Sequence, residues 1–160
     1  GHRTASAMTP SANAKANFED ALAGRFESLR ERIVDASRQT MDYSVGFAKH
    51  ELAKNRAQNA IDILNAAMGQ HGEAQAALTI RARAYAKLGQ PSKGIEDLRR
   101  LLEDRPSQFV VRGNLAMLLE ADGQIREALR EIDLVLEQKD NDFYRSKKAR
   151  MLENLATTEN

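Results

Sequence analysis

Gly89 and Gly123 lie 34 residues apart (123 − 89), and their neighbourhoods match in kind. Ala82-Arg83-Ala84-Tyr85-Ala86-Lys87-Leu88-Gly89-Gln90 is followed by Gly94-Ile95, Leu98 and Leu101-Leu102. Ala116-Met117-Leu118-Leu119-Glu120-Ala121-Asp122-Gly123-Gln124 is followed by Ala128-Leu129, Ile132 and Val135-Leu136. One step further back sets Ala48 opposite Ala82, with Ala60-Ile61, Leu64 and Ala67-Met68 behind it. A period of this length holds a supersecondary unit too small to bury its own apolar face, so stacked copies must supply the core. The spacing within each copy predicts two antiparallel helices joined by a tight turn. Gly89 and Gly123 stand where the first helix ends in a left-handed residue. Ala48, Ala82 and Ala116, with Ala60, Gly94 and Ala128, are small enough for close helix approach.

The helices are expected at 41–54, 57–69, 75–88, 91–104, 109–122 and 125–138. Pro91 suits a first helical turn, Pro106 lies where one pair stops, and Ser107 is a candidate N-cap for the third pair. A final helix over about 142–156, opened by an N-cap in Asp140-Asn141-Asp142, carries Phe143, Met151, Leu152 and Leu155 among Arg145, Lys147, Lys148 and Arg150. It is expected to cap the stack with a polar outer face. Before the repeats, Phe18, Leu22, Phe26, Leu29, Ile33 and Ala36 recur at steps of 4, 4, 3, 4 and 3, which predicts one amphipathic helix over 14–40. Two destinations fit its apolar face: the next helix of the same chain, or a second copy in a homodimer. Residues 1–13 read as a lead-in, with Gly1 to Ala7 resembling a cleavage scar and order expected to begin near Phe18.

This pattern resembles the tetratricopeptide repeat, over three copies at 41–74, 75–108 and 109–142, with 143–160 as capping helix and tail. Leu115, Ala116, Leu119, Gly123, Ala128 and Leu136 stand at the family's positions in the third copy, Ala82, Tyr85, Gly89 and Pro106 in the second, and Phe47, Ala48, Ala60, Leu64 and Ala67 in the first. Asn55 replaces the turn Gly of the first copy, Arg81 the usual Leu of the second, and Gly72 and Asp140 stand where Pro is common. The resemblance implies an all-α, right-handed helix-turn-helix solenoid whose first helices line a concave groove for a partner peptide or helix. Carried over residue by residue, the groove comprises Asp42, Val45, Lys49, Leu52 and Ala53, then Ala76, Thr79, Arg83, Ala86 and Lys87, then Val110, Gly113, Asn114, Met117, Glu120 and Ala121. Lys49, Arg83 and Lys87 make it modestly basic, which suggests an acidic or carboxylate-bearing partner, while Val110 and Met117 offer apolar contact. One branch of the family clamps a C-terminal carboxylate with Lys, Asn and Arg; here Val45, Ile80 and Val110 occupy positions that such a clamp fills with polar groups.

Composition narrows the function further. Charge balances to +1, aromatic residues make up 5%, and no basic stripe is interleaved with aromatics, so nucleic acid is not an expected partner. No apolar run approaches the roughly 18 residues of a membrane span, so no insertion is expected. The absence of Cys excludes a disulfide framework, thiolate metal sites and a cysteine nucleophile. Neither His50 nor His71 sits in a metal-ligand spacing, and phosphate loops and nucleophile elbows are missing, so no catalytic residue, cofactor or metal is assigned. Paired carboxylates such as Glu96-Asp97 have arginines beside them and read as solvated helix faces. The expected role is a non-catalytic adaptor or scaffold. A secretion-type chaperone holding a partner protein, a platform assembling through Phe18, Leu22, Phe26, Leu29 and Ile33, and a regulatory piece of a larger enzyme are the alternatives. A cytoplasmic location is the default, a removed targeting or anchor segment being the other reading.

Overall fold

The structure, a computed structural model, describes residues 11–159; the scar and most of the lead-in expected at the N-terminus lie outside them. Among the described residues there are seven helices and no strand: α1 (Ala12–Ala53), α2 (Ala57–His71), α3 (Gln75–Lys87), α4 (Pro91–Asp104), α5 (Phe109–Ala121), α6 (Ile125–Gln138) and α7 (Asp142–Thr158). From α2 onward the boundaries follow the sequence expectation to within two residues. The chain divides into two compact units between Gln39 and Thr40.

The first unit is helical from Ala12, six residues before the expected onset of order at Phe18. Ala12, Ala14 and Ala16 have the highest helix propensity and need no apolar face to form a turn. The Ser11 hydroxyl also accepts from the Ala14 amide at 3.2 Å. Phe18, Leu22, Phe26, Leu29 and Ile33 are all exposed, Phe18 to 66% and Ile33 to 65%.

The second unit holds the repeats. No new helix starts at 41, where the sequence reading expected one: α1 runs on through Thr40 and Met41 to Ala53, and the chain turns only at the left-handed Asn55. Asn55 adopts φ 65°, Gly89 φ 73° and Gly123 φ 83°. Each closes the same turn. Arg56, Gln90 and Gln124 donate their amides to the carbonyls of Glu51, Tyr85 and Leu119 at 2.9, 2.9 and 2.8 Å. Asn55, Gly89 and Gly123 donate to Leu52, Ala86 and Glu120 at 3.0 Å in all three cases. This is the Schellman pattern, three times at the 34-residue step. Asn serves in the first copy because its short polar side chain tolerates the left-handed region.

The small residues lie where the helices touch: Ala48, Ala60, Ala82, Ala116 and Ala128 are fully buried. They belong to two clusters. One joins Met41, Val45, Ala48 and Leu52 of α1 to Ala60, Ile61 and Leu64 of α2 and to Ala77, Ile80 and Ala84 of α3. The other joins Ala82 of α3 to α4, α5, α6 and α7 through Leu98, Leu115, Leu119, Ile132, Tyr144 and Met151. Arg81, where the family pattern has Leu, is also accommodated. Its guanidinium donates twice to the buried Asp97 carboxylate, both bonds at 2.8 Å, and a third time to Asn65 Oδ1 at 2.8 Å. The hydrogen bonds it donates to Asp97 raise the Arg81 pKa above its already high ordinary value.

Two local expectations divide. Asn141 caps α7, accepting from the Tyr144 amide at 3.0 Å. Ser107 does not cap α5: the N-cap is Gln108, without a side-chain cap bond. The outer face of α7 is not purely polar either, since Phe143 and Leu152 are about half exposed.

Candidate functional site

The part of α1 beyond Thr40, α3 and α5 together line one cavity where the groove is expected. The 34-residue step puts Lys49, Arg83 and Met117 at equivalent places, and likewise Asp42, Ala76 and Val110. Lys49, Gln75, Ala76, Thr79, Ile80, Val110 and Val111 line a cavity of about 360 Å³. Its floor is aliphatic, from the buried Ile80 and Val111, and Val110 rises from it half-exposed. Lys49 stands at its edge as the one charged lining residue.

The candidate residues from the sequence fall into three groups. Lys49, Ala76, Thr79 and Val110 meet at this cavity. Asp42, Arg83, Lys87, Asn114 and Met117 do not line it, and all are at least partly exposed. Val45 and Leu52 are corrected to core residues, 7% and 3% exposed, because α1 turns the face carrying Met41, Val45, Ala48 and Leu52 onto α2 and α3, and Gly113 is likewise buried, against Tyr144. Gln75 and Val111 were missed. Gln75 precedes Thr79 by one helical turn and Val111 follows Val110, so spacing from an expected groove residue was the available signal.

Hydrogen bonding separates side chains committed to the fold from those left over. Thr79 Oγ1 donates to Gln75 O at 2.8 Å, Asn114 Nδ2 to Val110 O at 3.1 Å and Lys87 Nζ to Leu52 O at 3.3 Å. Arg112 is held by Glu131 at 2.6 Å and Pro106 O at 2.9 Å. Arg150 is held by Glu120 at 2.7 Å. Lys49 and Arg83, by contrast, have no ion pair or side-chain hydrogen bond among the described residues. Lys49, an unpaired cation lining an aliphatic cavity, can take an anionic group beside an apolar side chain. No group of three or more His, Cys, Asp or Glu among the described residues is placed to hold a metal. No helix among them is long and apolar enough to cross a membrane.

No protein-family model matches the sequence, and no curated protein does. Solved structures do match. The first TPR domain of the human RPAP3 protein superposes with a TM-score of 0.68 at 18% identity, over 75% of this chain and 95% of that one. The second TPR domain of human RPAP3, in complex with the HSP70 peptide SGPTIEEVD, gives 0.63 at 14% identity over 72% and 97%. MamA AMB-1 gives 0.58 at 19% identity over 91% and 81%.

Proposed function

With the tetratricopeptide-repeat fold as premise, we propose that this chain is a non-catalytic adaptor that binds an extended acidic segment of a partner protein in the groove formed by α1, α3 and α5. The observation that carries this reading is the aliphatic cavity with Lys49 at its edge and the unpaired Arg83 one repeat further on. An apolar side chain of the ligand enters the cavity over Ile80 and Val110, and its carboxylates meet Lys49 and Arg83. Arginine gives a two-pronged hydrogen bond and lysine a point charge. A groove held by three packed helix pairs is preformed, so little ordering cost falls on the protein side. The complex of one similar domain with an acid-ended peptide supports the ligand class.

The test is fluorescence anisotropy of the whole chain against labelled nonapeptides that pair one Ile or Leu with two or three acids. Binding that weakens at least tenfold in Lys49→Glu/Arg83→Glu, with helicity unchanged, is the expected result. Amidation of the peptide C-terminus should leave affinity unchanged, because the buried Val45 and Ile80, with Val110, provide no polar clamp for a terminal carboxylate. Affinity indifferent to the double charge reversal would sink the groove assignment.

A further inference from the structure

The repeat pattern leaves α7 as a cap, yet it lies against α5. The Tyr144 ring packs on Gly113, where a Cβ would meet its Cε1 at 2.8 Å, and its centroid is 6.4 Å from that of Phe109. Arg150 donates to Glu120 at 2.7 Å and ties the same side of α7 to α5. Burial fixes the correspondence between the two helices, since Val111 and Leu118 of α5 match Tyr144 and Met151 of α7 at a step of 33 (144 − 111 and 151 − 118). The same step carries the inner strip of α5 onto α7: Val110 to Phe143, Asn114 to Lys147 and Met117 to Arg150. At 3.6 residues per turn, Phe143 lies about 20° and Lys147 about 60° from Arg150 around the helix, on the side that faces α5.

The chemistry of this strip matches that of the cavity before it. Phe143 is 53% exposed, with its ring edge-on to Tyr144 at 5.1 Å. Arg145, Lys148 and Arg150 are paired with Asp140, Asp133 and Glu120. Lys147 has no ion pair among the described residues, and its Nζ stands 5.2 Å from the centre of the Phe143 ring. The Tyr144 hydroxyl has no hydrogen-bond partner among the described residues either, and it is not sealed from solvent. Burial pushes the phenol pKa up, so the hydroxyl keeps its proton and can donate it. Phe143, Lys147, Arg150 and Asn154 make up the strip, which holds no carboxylate of its own. An unpaired cation beside an exposed apolar side chain is the combination that Lys49 and Val110 present in the cavity.

We infer that α7 extends the ligand groove as a second subsite, in which Phe143, Lys147 and the Tyr144 hydroxyl receive a further apolar side chain, carboxylate and main-chain carbonyl of the same acidic segment. This rests on the groove reading and adds a spacing to it. Packed helices stand about 8–10 Å apart. A ligand in the polyproline II conformation returns a side chain to the same side every three residues, after about 9 Å. The two apolar side chains of the ligand are therefore three residues apart, and α7 sets the length of segment that the protein reads.

The test is fluorescence anisotropy of the whole chain against two kinds of labelled peptide. One carries a single Leu with two acids; the other adds a second Leu three residues before or after the first, with a Glu beside it. The two-anchor peptide should bind about tenfold tighter in one of its two placements, which also gives the direction of the bound chain. Phe143→Ala and Lys147→Glu should each cut into this gain and together abolish it, with the thermal midpoint and the affinity for the one-anchor peptide unchanged. Tyr144→Phe, which keeps the ring on Gly113, should weaken the two-anchor peptide alone. Equal affinity for both peptides in both placements, while the one-anchor peptide still depends on Lys49 and Arg83, overturns the second subsite and spares the groove. A gain that survives Phe143→Ala/Lys147→Glu overturns it as well. Binding of neither peptide overturns both readings.

Discussion

At Gly94 a single methyl group would have nowhere to go. A Cβ there would stand 2.5 Å from Leu118 Cδ2 and 2.6 Å from the Ala82 carbonyl oxygen. The first neighbour could swing aside; the second is backbone. Gly94→Ala should therefore destabilise the protein by about 1–3 kcal/mol despite alanine's better helix propensity, measured by urea unfolding. Arg81 makes the converse point. Restoring the family's Leu should cost about 3 kcal/mol, since Asp97 is buried and loses its two-pronged partner, although Arg100 still reaches it at 3.1 Å. Arg81→Leu/Asp97→Leu should recover most of that loss in the same measurement. Glu51 sets an acid limit. The Asn59 amide, aided by Arg56, holds its carboxyl below the ordinary 4.5. Arg145 does the same for Asp140, below 3.8. A lowered carboxyl contributes stability that is complete above its ordinary value and is lost as pH falls through the lowered one. Stability should thus decline below about pH 4.5, and Glu51→Gln should flatten the upper part of that decline in an acid titration followed by circular dichroism.

For the helices as elements, the sequence was most reliable where local chemistry alone fixes the outcome. Schellman turns at Gly89 and Gly123 and the Asn141 cap were readable because one residue's conformational freedom, or one side-chain oxygen, decides each. Asn141→Ala should lower stability by about 1 kcal/mol, seen as a lower thermal midpoint with α7 fraying first in hydrogen exchange. Ser107 failed as a cap because a serine beside a proline is only a permissive signal; the chain enters α5 through Gln108 instead. The start of α1 was misplaced for a different reason. Hydrophobic periodicity marks a face that packs, whereas Ala12 to Ala16 are helical by propensity with no face to show.

Across the whole molecule, both core clusters draw only on residues from Met41 onward. A chain lacking residues 1–39 should keep the thermal midpoint of the repeats, read from a circular dichroism melt of the two chains side by side. The sequence by itself determined the repeat, its 34-residue step, the turn residues and the small residues at helix contacts, because each is a local steric requirement recurring at a fixed interval. Only the tertiary structure decided which inner-face residues are available to a ligand. Val45 and Leu52 share a helix with Lys49, and packing against α2 and α3 takes two of the three out of reach.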